Sequence, residues 1–167
     1  MPDTSTEVVI ASQTLGSAAA TITFSSIPAT YTDLRLSLVG SVSAVSTQYY
    51  LRFNGVSSGF PYSGTYIGGD GSSASSTRYT NSNEIPINGI NTGGTTTPHF
   101  LLVDVFSYAG STNKTCLMEI SHDRNGSGYV ERAVGLWRST AAITSVTITV
   151  NTGNMAIGTT ATLYGIL

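Results

Sequence analysis

The sequence predicts an all-β fold, an antiparallel β-sandwich of jelly-roll type with about eight or nine strands. Apolar residues recur at every second position in several short segments, as on a strand with one buried face. Turn residues separate these segments, and no stretch keeps a helical apolar period over three turns. Such a pattern favours antiparallel sheets over alternating strands and helices.

The strands follow from this alternation. The clearest cases are Leu34, Leu36 and Leu38; Tyr49, Leu51 and Phe53; and Val146, Ile148 and Val150. Six further strands are predicted at Glu7–Ala11, Ala19–Ser25, Phe100–Phe106, Thr115–Ser121, Tyr129–Trp137 and Ala161–Ile166. The segment Phe100–Phe106 is apolar on both faces except at Asp104, which predicts a central strand. An unpaired carboxylate there would be costly, so we expect an arginine beside Asp104.

One segment, 56–98, departs from the pattern because it is rich in Gly, Ser, Thr and Asn. A structureless loop of this length is uncommon in a compact domain. Its tyrosines and isoleucines would supply short strands or anchors. We therefore expect a long, partly ordered excursion at one end of a single sandwich domain spanning 13–167, preceded by an N-terminal arm at 1–12.

Composition excludes several classes of function. Charged residues make up 10% of the chain, the net charge is −2, and Lys114 is the single lysine, which argues against nucleic-acid binding. No apolar run approaches the roughly 20 residues of a membrane span. The first residues lack the basic and apolar regions of a secretory signal. The single cysteine, Cys116, excludes an intrachain disulfide and is predicted to be a buried structural thiol.

Catalytic and metal-binding patterns are weak. The two histidines are His99 and His122, and the pair His122-Asp123 offers two ligands where a metal needs three or four. The glycine-rich run 68–71 lacks the Lys-Ser and the helix of a phosphate loop. We expect neither an enzyme nor a cofactor or metal site.

Three arginines are candidate interface residues. Arg35 and Arg52 lie on outward faces of predicted strands, and Arg138 follows another. They form either a solvated strand surface or salt bridges between subunits. In a chain with so few charges, both interpretations stay open.

Tyrosine is the other over-used residue. Tyr62, Tyr66 and Tyr79 cluster in the excursion. A tyrosine ring is apolar with a polar tip, which suits core packing, protein interfaces and stacking on sugars. Packing in the core and rim is one interpretation, and a surface for a partner or a sugar is the other.

Four sequence strings together carry a resemblance: 20–34 (ATITFSSIPATYTDL), 51–55 (LRFNG), 137–146 (WRSTAAITSV) and 162–166 (TLYGI). In this order they resemble small virion structural proteins of tailed bacteriophages, a group with a β-sandwich and a terminal LYGI strand. The resemblance covers both ends and most of the middle, with 56–98 as the variable part. It implies a virion component assembled in the host cytoplasm, and it brings no catalytic motif.

Two functions follow from the resemblance. The first is a capsid decoration, or cement, protein that binds the outer capsid lattice as an oligomer, by analogy a trimer, through modest interfaces repeated over many copies. Val8, Val9 and Ile10 of the arm would form its docking strand, adding to an edge of the major capsid protein or of a neighbour. The alternative is a tail-fibre or receptor-binding module that recognises host surface glycan. An enzyme such as a depolymerase is the weakest hypothesis.

Overall fold

The computed structural model describes residues 6–44, 47–87, 97–123 and 126–167. Within these ranges the chain forms twelve strands and no helix, so none of the described residues belongs to a helix that could cross a membrane. The strands are β1 (Glu7–Thr14), β2 (Thr21–Phe24), β3 (Asp33–Gly40), β4 (Tyr49–Phe53), β5 (Tyr62–Gly69), β6 (Ala74–Ser82), β7 (Ile85–Ile87), β8 (His99–Phe106), β9 (Lys114–His122), β10 (Tyr129–Trp137), β11 (Val146–Val150) and β12 (Thr160–Ile166).

The strands form two antiparallel sheets, which confirms the predicted β-sandwich. The eight-stranded sheet has the order β1-β12-β3-β8-β9-β10-β5-β6, and the four-stranded sheet has the order β2-β11-β4-β7. All nine predicted strands are present. The count of eight or nine is too low because the segment 56–98 adds β5, β6 and β7.

The segment 56–98 extends the two sheets. Strand β5 pairs with β10 along its whole length, β6 pairs with β5, and β7 pairs with β4. Glycine and serine have low intrinsic strand propensity, so the local sequence signal is weak and the pairing with β10 supplies the order. Residues 88–96 of this segment lie outside the described residues.

A single core fills the space between the sheets. Along β3 the inward residues Leu34, Leu36 and Leu38 are fully buried. Burial of a side chain of this size contributes roughly 1.5–3 kcal/mol. At one end of the core, the Trp137 ring lies 5.7 Å from the Phe53 ring, between centroids. These contacts hold the four-stranded sheet against the inner face of the larger one.

The predicted N-terminal arm is part of the eight-stranded sheet. Residues Glu7–Thr14 form β1, which pairs with β12 along one edge and is the outermost strand on that side. A β-bulge interrupts the pairing between Val9 and Ala11. Residues 1–5 of the predicted arm lie outside the described residues.

The four strings that carry the phage resemblance contact one another in pairs. In the first and fourth strings, the Thr32 N–H donates to the Ile166 carbonyl at 2.8 Å. In the second and third, the Asn54 Oδ1 accepts the N–H groups of Thr144 and Ser145 at 2.8 and 3.1 Å. The strings therefore stabilise the sandwich by long-range hydrogen bonds.

Candidate binding surface on the eight-stranded sheet

The outer faces of the two sheets differ in chemistry. On the four-stranded sheet, threonine hydroxyls pair across β2 and β11, Thr21 with Thr149 at 3.0 Å and Thr23 with Thr147 at 3.1 Å. None of the large apolar side chains that are exposed in the described residues lies on this sheet. Its outer face is therefore polar around these pairs, and the paired charge of Arg52 lies opposite Thr147.

The outer face of the eight-stranded sheet carries most of the exposed large apolar side chains. Seven of the ten exposed large apolar side chains in the described residues project from it: Val9, Val39, Ile67, Phe100, Phe106, Val130 and Val134. Val130 is 62% exposed and Val9 58%. We call this surface the outer face. Contiguous apolar area on a folded surface marks an interaction site more often than scattered apolar residues do.

The strand register arranges part of the outer face as a row across the sheet. Val39 lies opposite Phe100, Phe100 opposite Ser121, and Ser121 opposite Val130. Gly69 continues the row beyond Val130. We call these five residues the end row, because they lie near one end of their strands. These five residues come from five separate segments of the chain, so only the pairing of the strands brings them together.

A cavity of about 530 Å³ borders the end row. Besides the end row itself, it is lined by Asp70, Gly71, Pro98, His99, His122, Asp123, Gly128 and Tyr129. The two carboxylates shape the turns at its rim. Asp70 Oδ1 accepts the N–H groups of Ser73 and Ser72 at 2.7 and 2.9 Å, and these bonds lower the pKa of Asp70.

Two buried histidines line the same cavity. His99 Nε2 lies 2.5 Å from the Tyr49 hydroxyl, and burial, with a smaller effect from His122, lowers the pKa of His99 to about 4. His99 is therefore neutral at pH 7. The ring of His122 stacks on that of Tyr129, with 6.4 Å between centroids. Across the described ranges, no group of three or more His, Cys, Asp or Glu side chains has the arrangement of a metal site.

A second, more apolar groove of about 410 Å³ lies on the outer face over β9, β10, β5 and β6. Its lining includes Ile67, Leu117 and Val134, with Thr65 and Arg132 at its sides. The Arg132 guanidinium contacts the Glu119 carboxylate at 2.7 Å. The groove therefore offers hydrocarbon surface beside a charge pair that is already neutralised.

The charges nearer the middle of the outer face are also paired within the chain. Arg35 on β3 contacts Asp104 on β8 through Nε at 2.6 Å and Nη2 at 3.2 Å, and its Nη1 contacts Glu7 on β1 at 2.5 Å. The predicted arginine partner of Asp104 is thus confirmed. Hydrogen bonding to Asp104 is the main cause of a raised pKa for Arg35.

The other two predicted arginines also have partners in the chain. Arg52 Nη2 lies 2.5 Å from Glu84 Oε2. Arg138 donates to the carbonyls of Phe60 and Thr80, the latter at 2.9 Å. Both arginines therefore hold parts of the segment 56–98 against the rest of the sandwich.

The three predicted tyrosines have different environments. Tyr62 is fully buried, and its hydroxyl accepts the Phe53 N–H at 2.9 Å, so the interpretation of Tyr62 as a surface stacking platform is wrong. The error arises because Tyr62 begins β5, whose first residue faces the core. Tyr66 and Tyr79 are half-buried and pack against the core. Burial raises the pKa of Tyr79.

The docking strand predicted at Val8, Val9 and Ile10 lies on β1. Val8 and Ile10 are half-buried, and Val9 belongs to the outer face. On one side the strand is already paired with β12. Its opposite side is an edge of the sheet.

Most of the outer face was missed by sequence reasoning. A signal was present, because Phe100–Phe106 is apolar on both faces and was interpreted as a fully covered central strand. Strand β8 is indeed internal to the sheet, but Phe100 and Phe106 are exposed. In β10 the sequence did not show which face is buried, because the inward positions include Glu131 and Gly135. The outward exposure of Val130 and Val134 was therefore missed.

The single cysteine behaves as predicted. Cys116 is buried, and burial raises its pKa to about 12. A weak bond from its Sγ to the Gly135 carbonyl spans 3.6 Å. The thiol is therefore a packing residue of β9.

Known protein sequences do not match this chain, and solved structures are only weakly similar to it. No protein-family model and no curated protein sequence matches the chain. Among solved structures, it is similar to the galectin LEC-6 of Caenorhabditis elegans, with a TM-score of 0.39, 11% identity and 95% of each chain covered. It is also similar to the β-glucanase of Bacillus licheniformis, with a TM-score of 0.24 and 10% identity over 87% of this chain and 69% of that one.

Proposed function

We propose that the chain is a non-enzymatic structural protein of a tailed-phage virion, namely a capsid decoration protein that attaches through the outer face of its eight-stranded sheet. The observation that carries the proposal is the distribution of exposed large apolar side chains: seven of the ten in the described residues lie on this outer face, and none lies on the four-stranded sheet. The phage resemblance of the four strings supplies the kind of particle. Its partners would be other virion proteins, above all the major capsid protein, and further copies of itself, with a trimer expected by analogy.

The charge arrangement supports attachment to a protein surface. Burying an ion without a partner is costly, whereas Arg35, Asp104, Arg132 and Glu119 already form pairs on the outer face. A lattice partner could therefore cover this face without separating charges from their counterions. Many modest contacts of this kind, one for each copy, would stabilise a capsid by avidity.

Copy number tests the assignment to the capsid. Quantitative mass spectrometry of purified virions would measure the protein relative to the major capsid protein. A decoration protein on a capsid lattice is present in hundreds of copies, whereas a tail component is present in a handful. A handful of copies would contradict the proposal.

Matched variants test the surface. Val130→Glu with Val134→Glu places two charges on exposed positions of the outer face, and Thr21→Glu with Thr23→Glu does so on the four-stranded sheet. We expect the first variant to fold but to lose co-sedimentation with particles that lack the protein. The second variant should co-sediment like the wild type. Equal binding by both variants would exclude the outer face as the attachment surface.

The cavity beside the end row favours glycan recognition as a second candidate function. It combines the exposed ring of Phe100 with the carboxylates of Asp70 and Asp123. Aromatic faces stack on sugar rings and carboxylates accept their hydroxyls. A glycan array probed with the wild type and with Phe100→Ala would test this function. Binding that depends on Phe100, in a protein of low copy number, would support it over decoration.

A further inference from the structure

The outermost strand on one side of the eight-stranded sheet, β6, is an open edge. It pairs with β5 on one side, and within the described ranges no strand pairs with its other side. Seven of its nine residues are exposed, including residues of both faces. It contains no proline and one charge, Arg78. Such an edge presents unpaired backbone N–H and C=O groups that can pair with another chain.

Both edge strands of this sheet carry an irregularity, but at different places. Strand β1 has a bulge between Val9 and Ala11, in the middle of the strand, and bulges twist an edge away from pairing. In β6 the register shift lies between Tyr79 and Ser82, near the end of the strand, and the residues from Ala74 to Tyr79 pair with β5 without interruption. The turn before β6 is held by Asp70, whose Oδ1 accepts the N–H groups of Ser72 and Ser73. The stretch of β6 from Ala74 to Tyr79 is therefore a regular strand, and the turn before it is held in place by Asp70.

The side chains of β6 have the pairing chemistry that this protein uses between its own strands. Four hydroxyl pairs join neighbouring strands: Ser12–Thr162 at 2.9 Å, Thr14–Thr160 at 2.8 Å, Thr21–Thr149 at 3.0 Å and Thr23–Thr147 at 3.1 Å. The open stretch of β6 contains Ser75, Ser76 and Thr77 in succession. A strand that presents the same hydroxyls would complete such pairs across the edge.

We propose that β6 binds β6 of a second copy of this chain, antiparallel about a two-fold axis that passes through Ser76. In this register Ser76 lies opposite its own symmetry mate, Ser75 lies opposite Thr77, and Ala74 lies opposite Arg78. Every side-chain pair next to the axis is then hydroxyl with hydroxyl. The two eight-stranded sheets join into one continuous antiparallel sheet, and the interface is isologous and closed.

Charge disfavours one competing register and is compatible with this one. An antiparallel pairing centred on Arg78 would place the two guanidinium groups opposite each other, which is destabilising. Centred on Ser76, the two Arg78 positions are four residues apart along the strands, about 13 Å, which exceeds the Debye length of about 8 Å at physiological salt. The inference concerns self-association alone. It proposes a dimer in place of the trimer expected by analogy, and it stands whether or not the outer face binds a capsid.

Light scattering after size-exclusion chromatography tests the pairing on the full chain. We expect a dimer mass for the wild type at high protein concentration and a monomer mass for Ser75→Lys with Thr77→Lys, which opposes lysines across the axis. The matched control is Ser12→Lys with Thr14→Lys, a serine and a threonine at the same spacing on the other edge, which should remain dimeric. A wild type that is monomeric at millimolar concentration, or trimeric, would overturn the proposal.

A cross-link tests the register. Directly opposed residues of antiparallel strands have Cα atoms about 4.5–5.5 Å apart, within the range that a disulfide spans. On a denaturing gel, Ser76→Cys should therefore run as a covalent dimer after treatment with a mild oxidant and as a monomer after reduction, whereas Ser12→Cys should run as a monomer throughout. Cys116 is buried and does not interfere. Equal cross-linking of both variants would refute the β6 pairing.

Discussion

The ring of Tyr31 lies directly over Gly165, so that a Cβ atom on this glycine would overlap the ring. The same relationship recurs in the eight-stranded sheet, where Tyr79 covers Gly64 and Tyr129 covers Gly68. Glycine weakens a strand because it has no side chain to pack, and an aromatic ring laid across it restores the lost contacts. Several of the tyrosines in this chain are therefore structural partners of strand glycines.

We predict that Gly165→Ala lowers the free energy of unfolding by about 1–3 kcal/mol, because the ring of Tyr31 must leave its position. Urea denaturation monitored by fluorescence of Trp137 would measure this loss. The control is Gly16→Ala, where a Cβ atom meets nothing within 4 Å and stability should hardly change. An unchanged midpoint for Gly165→Ala would show that Tyr31 is free to move away.

These glycine–tyrosine pairs mark a limit of sequence reasoning. Apolar segments and the turn residues between them predicted all nine strands outside the segment 56–98, because these signals are local, and alternation was clearest in β3, β4 and β11. The pairing of Tyr31 with Gly165 joins residues from opposite ends of the chain, and it depends on the register of the whole sheet. The sequence therefore does not show which tyrosines cover strand glycines, and for Tyr62 it leaves core packing and surface stacking both open.

We predict that Asp104→Asn lowers the free energy of unfolding by about 1–2 kcal/mol, because it weakens the charge-assisted bonds to a half-exposed Arg35. The matched control is Glu119→Gln, whose partner Arg132 is 63% exposed. That pair is solvated, so its loss should cost no more than about 0.5 kcal/mol. Urea, which is uncharged and does not screen ion pairs, is the appropriate denaturant. Equal losses for both variants would contradict the difference in burial.

The same region shows what an apolar strand can and cannot indicate. A carboxylate within an apolar segment requires a cation, so the partner of Asp104 could be predicted. The exposure of Phe100 and Phe106 could not, because apolar residues on both faces also characterise strands covered on both sides. That exposure follows from the arrangement of the two sheets. The four-stranded sheet packs on the inner face of the eight-stranded one, and the outer face of the larger sheet is left exposed.

We predict that stability falls as the pH is lowered from 6.5 towards 4, in part because of His99. Burial lowers its pKa to about 4, below its ordinary value of 6.5, so the unfolded chain binds a proton in this window and the folded chain does not. The stabilisation is complete above pH 6.5 and is lost as the pH falls to 4, with an upper limit of about 3 kcal/mol.

Two measurements check this effect. An NMR titration should show the His99 ring neutral until the pH approaches 4. Urea denaturation at several pH values should show a smaller loss of stability for His99→Gln than for the wild type over the same window. A His99 ring that titrates near pH 6.5 in the folded protein would contradict the prediction.

We predict that Lys114 does not react with an acylating reagent in the folded protein. Its side chain is fully buried, and Nζ donates to the carbonyls of Gly110 and Thr112, both at 2.5 Å. Burial also lowers the pKa of Lys114, which would make the amine more nucleophilic if a reagent could reach it. If Lys114 is not labelled, the reason is therefore that the reagent cannot reach it. Protonation does not explain the result, because a lowered pKa leaves more of the amine unprotonated than in an ordinary lysine.

Peptide mapping by mass spectrometry checks this prediction after brief treatment with an acetylating ester, with and without urea. Lys114 should be modified only in the unfolded protein. Ser57→Lys supplies an internal standard, since the lysine introduced at this exposed position after β4 should be acetylated under native conditions. If Lys114 were acetylated as fast as that standard, the segment from Gly110 to Lys114 would have to open frequently, and the hydrogen bonds of Nζ would contribute little to the closed conformation.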